Sequence, residues 1–280
     1  MTPEERRHRR RTRLRHGAYI LPSLFTIGNM LLGFYAVVSA FRGSQMVAPE
    51  AGDPYFARAA LAIFVAAILD TLDGRIARMT GTDSDFGREY DSLADLFTFG
   101  AAPALLTFLW DLHDLGRIGW LVPLYYLVCT ATRLARFNVQ AKVADTRYFV
   151  GLPSPAAAGA VCSLLFYVPA TDGWRDLWTL FVLITLAGVG TLEVSTFRYW
   201  SPKQIDLRKR WSYRAALPLA LILLVVVLQP KAVFLVVGVA YALSGPAWWL
   251  VGRFRRRGDE AEPPPGEAAG GPGEGPLEVP

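Results

Sequence analysis

The chain has 280 residues and a net charge of +5, with 52% hydrophobic and 19% charged residues and a positive mean hydropathy of +0.28. A soluble domain of this length spreads its charge over its surface. Here the charges cluster between long apolar runs, which excludes an ordinary soluble globule and points to a polytopic membrane protein.

In chain order, residues 1–17 form a basic segment, "MTPEERRHRRRTRLRHG", expected to be cytoplasmic. The apolar run after it is too long and unbroken for a signal-peptide core, so it reads as the first span rather than a cleaved leader. A span needs about 20 mostly apolar residues. Eight segments qualify: 18–41, 55–78, 89–110, 118–139, 155–171, 177–196, 213–229 and 232–252. The expected fold is therefore all-α, a polytopic transmembrane helical bundle of about eight spans, with residues 18–252 as its membrane domain. Residues 253–280, rich in Pro, Gly and Glu, lack the apolar content to pack and are expected to form a disordered acidic tail. Cys129 and Cys162 both fall in apolar runs and read as small buried hydrophobes, neither a disulfide framework nor a zinc site.

With eight spans, Arg42, Arg58, Arg117, Arg175 and Lys231 fall on one side and the other 24 of the 29 Lys and Arg residues on the opposite side. The positive-inside rule then places both termini and the connection between the second and third spans in the cytoplasm. The run Arg6–Arg15 serves as a topology signal and an attraction for anionic headgroups. A sharper reading of it is a surface helix that gathers an anionic lipid substrate.

The connection between the second and third spans is the informative stretch. Asp70 and Asp73 lie three apart, and Asp91 and Asp95 four apart, so each pair shares a helical face. "GTDSDFG" between them, with Gly81 and Gly87, can turn tightly. An antiparallel hairpin then gathers four carboxylates at one end. Bare carboxylates so close repel strongly in a low dielectric, so they must be protonated or neutralised, and hard divalent cations are the natural partners. The bland reading is a set of solvated helix-end charges. Gly74 and Ala77 leave room for a ligand or a second helix, and Arg78 adds a fixed positive charge.

The pattern Asp70-x-x-Asp73-Gly74-x-x-Ala77-Arg78, eight residues, Gly87-x-x-x-Asp91-x-x-x-Asp95 resembles the signature of the CDP-alcohol phosphatidyltransferase family at every defined position. "LPSLFTIGNMLLG" (21–33), "TRLARFNV" (132–139) and "YFVGLPSPAAAG" (148–159) are similar to its membrane-embedded phosphatidylserine synthase branch.

This resemblance implies transfer of the phosphatidyl group of CDP-diacylglycerol to the hydroxyl of L-serine, releasing CMP, in phospholipid biosynthesis. It implies that Asp70, Asp73 and Asp91 bind two divalent ions, Mg²⁺ or Mn²⁺. Asp95 becomes the general base and a further metal ligand. Gly74 and Arg78 correspond to contacts of the cytidine diphosphate group, with Ser84 a weaker carry-over. Asn29 is a polar contact from the first span, or else a helix–helix hydrogen bond. Arg133 and Arg136, three apart on the fourth span with Asn138 and Lys142 beyond, are read as binding pyrophosphate or the serine carboxylate. The alternative for them is snorkelling at a helix end. "GLPSP", with Pro153 and Pro155, is a loop and helix start, and its match to the serine branch favours serine as acceptor. Glu193 receives no role beyond pairing or an interfacial position, and His8, His16 and His113 receive none.

The expected setting is the cell (inner or plasma) membrane with the site facing the cytoplasm, no nucleic acid, and, by family analogy, a homodimer. Two rivals stand beside this reading. One is the same chemistry on glycerol 3-phosphate or an inositol phosphate. The other is a cation transporter, in which acidic residues line a path through the membrane.

Overall fold

The computed structural model describes residues 3–47, 49–80, 85–140, 148–167, 174–200, 224–225 and 228–259. Eight α-helices carry the described chain: α1 (Pro3–Ser44), α2 (Pro49–Thr80), α3 (Asp85–Asp95), α4 (Ala102–Trp110), α5 (Gly116–Gln140), α6 (Ser154–Phe166), α7 (Arg175–Val194) and α8 (Pro230–Asp259). A π-helical turn, Leu96–Ala101, joins α3 to α4, and a 3-10 turn, Leu112–Leu115, joins α4 to α5. Two three-residue strands, β1 (Tyr148–Val150) and β2 (Arg198–Trp200), pair antiparallel with Phe149 opposite Tyr199.

Six helical segments among the described residues are long and apolar enough to cross a membrane: Leu24–Ser44, Asp53–Asp73, Phe86–Trp110, Leu112–Val139, Arg175–Val194 and Pro230–Leu250. They coincide with the first four, the sixth and the eighth of the expected spans. The expected fifth span corresponds to α6, which is shorter at 13 residues. The seventh, 213–229, lies outside the described residues except for 224–225 and 228–229, as does the tail from residue 260. The helix of the first span runs back through the basic segment to Pro3.

The outer faces are oily. Leu61, Val65, Ile68 and Leu72 on α2 are exposed at helical spacing, as are Leu24, Leu31 and Phe34 on α1. Such stripes suit lipid rather than water. The inner faces are small: Ala36 and Ala40 of α1 meet Ala59, Ala60, Ile63 and Ala66 of α2 in one buried cluster. Between apolar helices in lipid, association comes from close packing, which small residues permit. Helix α6 is the hub. It packs on α2, α4, α7, α8 and the π turn, and nine of its 13 residues are buried, so it needs no lipid-facing stripe. Cys129 and Cys162 are buried free thiols, as expected.

The π turn has a local cause. Pro103 has no N–H, so the carbonyl of Phe99 lacks its ordinary α-helical donor. The buried Tyr126 hydroxyl of α5 donates to that carbonyl at 2.7 Å. Thr98, in the same turn, donates to the backbone carbonyl of Asn29 in α1 at 3.2 Å. This contact requires Gly33: a Cβ there would sit 2.7 Å from Thr98 Oγ1 and 3.1 Å from Thr98 Cα.

At the far end of α2 a charge cluster ties three elements. The Arg175 guanidinium donates through Nε and Nη2 to Asp111 at 2.9 and 3.2 Å and lies 3.5 Å from Asp53. Thr179 also donates to Asp111, at 2.9 Å, and the Arg175 guanidinium sits 5.1 Å from the centre of the Trp110 ring. Asp53 is roughly 25 Å along the helix from Asp70, at 1.5 Å per residue.

Gly33→Val is expected to lower the unfolding temperature in detergent, equivalent to about 1–3 kcal/mol of overpacking. Gly188→Ala is the control, because nothing lies within 4 Å of the carbon it adds, and it should leave the transition in place. Equal loss in both would contradict the close α1–π-turn contact.

Candidate active site and metal centre

The aspartate motif folds as its spacing demands. Asp70 and Asp73 lie near the end of the apolar part of α2, and Asp91 and Asp95 lie one turn apart on α3. Carboxylate oxygens of Asp70, Asp91 and Asp95 all come within 4.8 Å of one another, and each of the three residues is half-buried. Each carboxylate repels the others: Asp91 faces the charges of Asp70 and Asp73, and Asp95 those of Asp70 and Asp91.

Asp73 stands beside the triple. It is 6% exposed, and its Oδ2 accepts a 2.7 Å hydrogen bond from Thr26 Oγ1 of α1. Its Oδ1 is buried without a hydrogen-bond partner. Asn29, one turn after Thr26 on α1 and 1% exposed, donates from Nδ2 to Asp95 Oδ1 at 3.2 Å. Its Oδ1 is likewise buried and without a partner. Buried oxygens left unpaired are costly. Two of them beside three mutually repelling carboxylates form an all-oxygen donor set that suits a hard divalent cation. The residues present therefore fit such a metal.

The remaining expected residues divide. Gly74 and Arg78 continue α2 beyond Asp73, and their surroundings lie outside the described side chains. Ser84 and Lys142 lie outside the described residues altogether. Arg133, on α5, donates from Nη1 to Ser154 Oγ at 2.9 Å, and its Nε is buried without a hydrogen-bond partner. Arg136 is engaged elsewhere. Its Nη1 donates to the carbonyl of Val194 at 3.3 Å, one of the last carbonyls of α7, which have no partner within their own helix. Asn138 bridges α5 to α3, donating to Ser92 Oγ at 3.0 Å.

Three contributors escape a reading based on the motif alone. Thr26 carries a faint signal, since it and Asn29 put two polar groups on one face of an apolar helix. Thr130 and Ser154 carry none: each is a small hydroxyl residue whose partner, Glu193 or Arg133, is remote in sequence. Glu193 accepts from Thr130 Oγ1 at 2.7 Å. "GLPSP" is indeed a turn and helix start. Gly151 has φ +83°, and a side chain there would collide with the Glu193 carbonyl. Pro153 precedes the first turn of α6, and Ser154 opens it.

With this geometry in place, the comparisons with known proteins can be read. The family model described as CDP-alcohol phosphatidyltransferase matches residues 19–191. The chain belongs to this family. Among its relatives, the Helicobacter pylori protein named CDP-diacylglycerol–serine O-phosphatidyltransferase is 34% identical over 236 residues, covering 83% of this chain and 92% of its own. The Mycobacterium leprae protein of the same name is 34% identical over 246 residues, covering 85% and 77%. The Bacillus subtilis protein of that name is 37% identical over 146 residues, covering 52% and 75%. Membership of this family together with six membrane-length apolar helices makes the chain an integral membrane enzyme. The family is generally dependent on divalent metal, and the acidic cluster is present here.

Asp91→Asn is expected to raise the unfolding temperature in chelator, by roughly 1 kcal/mol of relieved repulsion. The same variant should lose most of the stabilisation that wild type gains from added Mg²⁺ or Mn²⁺. A variant that is destabilised in chelator, with its cation response intact, would show that the carboxylates do not share an ion.

Proposed function

We propose that this protein makes phosphatidylserine: it transfers the phosphatidyl group of CDP-diacylglycerol to the hydroxyl of L-serine and releases CMP. The observation that carries the reading is the convergence of Asp70, Asp91 and Asp95 oxygens within 4.8 Å in a chain of this family. The relatives' names supply the acceptor.

In this reading Asp70, Asp73, Asp91 and Asp95 hold two divalent ions, Mg²⁺ or Mn²⁺, with the Asn29 side chain beside them. Bound there, the cations supply neutralisation of the pyrophosphate charge and of the departing CMP. Gly74, with no side chain, lets the nucleotide approach the α2 backbone, and Arg78 and Ser84 complete its contacts. Asp95 accepts the proton of the serine hydroxyl as the new O–P bond forms and the bond to the CMP phosphate breaks. Asn29, by donating to one Asp95 oxygen, fixes the rotamer and leaves the second oxygen to face the alcohol. Arg133 holds the serine carboxylate. Arg136, engaged with the end of α7, contributes at most its charge. In this reading the serine oxygen attacks the phosphorus directly, with Asp95 as the base.

The membrane domain spans 18–252 in this reading, and it lies in the cell membrane with both termini and the site on the cytoplasmic side. The lipid tails stay in the bilayer, while serine and CMP exchange with the cytosol. A homodimer follows the family analogy.

The test is CMP release by purified protein from CDP-diacylglycerol with serine, glycerol 3-phosphate and an inositol phosphate offered singly, across a Mg²⁺ and Mn²⁺ titration. Release with serine alone, abolished by chelator, is expected. Release only with a phosphorylated alcohol would replace the acceptor assignment. Asp95→Asn should cut kcat by about 10²–10⁴-fold, the usual contribution of a general base. An unchanged kcat would remove Asp95 from that role.

A further inference from the structure

Among the described residues, Glu193 is the one deeply buried acid to which the reaction gives no role. It is 1% exposed and lies next to the last residue of α7. Its Oε2 accepts from Thr130 at 2.7 Å, and its Oε1 is buried without a hydrogen-bond partner. A buried carboxylate with half of its acceptor capacity unused persists when a positive charge stands near it. Arg133 is that charge. Its guanidinium is attracted to two carboxylates, Glu193 and, less strongly, Asp95. It forms a hydrogen bond with neither. Instead Nη1 donates to Ser154 at 2.9 Å, and Nε is buried with no partner.

This arrangement answers a problem of the site. An arginine beside a half-buried aspartate would ordinarily close onto it as an ion pair. Such a pair would occupy the base and would spend the guanidinium as well. Glu193, the stronger of the two attractions on Arg133, supplies the competing pull. Thr130 fixes the Glu193 carboxylate, and Ser154 holds one arm of the guanidinium. Ser154 is delivered by the "GLPSP" turn, in which Gly151 N donates to Phe197 O at 2.8 Å and Leu152 N to Leu192 O at 3.0 Å. Those bonds tie the start of α6 to the end of α7, so Ser154 and Glu193 are set by one piece of structure.

We propose that Glu193 is a positioning residue that, with Thr130 and Ser154, holds the Arg133 guanidinium off Asp95 and keeps its Nε edge for an acceptor carboxylate. The Nε side of the guanidinium fork is suited to bidentate pairing with a carboxylate. The acceptor class that this favours is a hydroxyl compound bearing a carboxylate, rather than a neutral polyol. The inference rests on the assignment of Arg133 to the acceptor made above.

The test is a double-mutant cycle on full-length protein in detergent micelles, following CMP release at saturating cation while serine is varied. Glu193→Gln keeps the shape and the Thr130 hydrogen bond but removes the charge. It is expected to raise the serine KM about tenfold, with kcat within about twofold and the CDP-diacylglycerol KM unchanged. Arg133→Gln should raise the serine KM at least as much. The double variant should match Arg133→Gln alone, because Glu193 acts only through the arginine. Thr130→Val serves as a milder second variant, expected to move the serine KM in the same direction. If Arg133→Gln raises the serine KM while Glu193→Gln and Thr130→Val leave it alone, the positioning role falls and the acceptor assignment stands. Multiplying effects in the double variant, or a loss confined to kcat, would likewise mark Glu193 as merely structural. If Arg133→Gln leaves the serine KM unchanged, the acceptor assignment falls and this inference falls with it.

Discussion

Three carboxylates with oxygens inside 4.8 Å set the terms for everything around them. Two like unit charges at about 4 Å cost roughly 4 kcal/mol at the effective dielectric of a protein surface, and a third adds to that. Elements that carry such a cluster must be held together by something stronger than the cluster's own repulsion. Here that is the packing of α1 against α2 and the π turn. Alanine faces bring α1 and α2 together, and Gly33 admits Thr98. The same approach delivers Thr26 to Asp73 and Asn29 to Asp95. Helix α1 contributes no carboxylate, yet its two donors decide which oxygens stay free.

The bundle separates its polar business by depth. At the end of α2 opposite the aspartates, Arg175 is bound by Asp111 and Asp53, and Thr179 joins it on Asp111. That cluster joins α2, α7 and the end of α4, with Asp53 Oδ1 and Trp110 Nε1 in it buried without hydrogen bonds. The aspartate end leaves more of them: Asp73 Oδ1, Asn29 Oδ1, Arg133 Nε and Glu193 Oε1 are buried without hydrogen bonds. The ion pairs of Arg175 join elements, while the unpaired atoms beside three mutually repelling carboxylates mark where a ligand would complete the bonding. A transport path would need polar groups carried through the intervening depth. In between, α2 buries alanines and Ile63 and presents Leu and Val outward.

How much of this was legible in the residues follows from range. The hairpin and the face-sharing of Asp91 with Asp95 follow from helical periodicity, a local property. So do the lipid-facing stripes and the helix start at Pro153. Asn29 stood out because an amide in an apolar span needs a partner. The π turn left only an indirect trace in Pro103, since its cause is completed by Tyr126, 27 residues away. The fifth expected span corresponds to the 13-residue α6, and hydropathy along the chain does not show that other helices surround it. Arg136 and Arg133 looked equivalent at a spacing of three. They part because Arg136 donates to a carbonyl at the end of α7 and Arg133 to Ser154 at the start of α6, and neither partner can be read from α5.

A division of the site by element follows. The motif on α2 and α3 holds the charge that any CDP-linked lipid donor brings. Groups from α5, α6 and α7, namely Arg133, Ser154, Thr130 and Glu193, form a second cluster whose link to Asp95 is the charge of Arg133. In the proposed reading Asp95 as base stands between a donor group written in one continuous stretch of 26 residues, 70–95, and an acceptor group assembled from three separate helices. In that reading, residues that act on the donor must keep their spacing, because shared cations would tie them to one another. Residues that read the acceptor answer only to the shape and charge of that alcohol. On this reading a change of acceptor requires substitutions on α5 to α7 alone, with Asp95 and its Asn29 support left where they are.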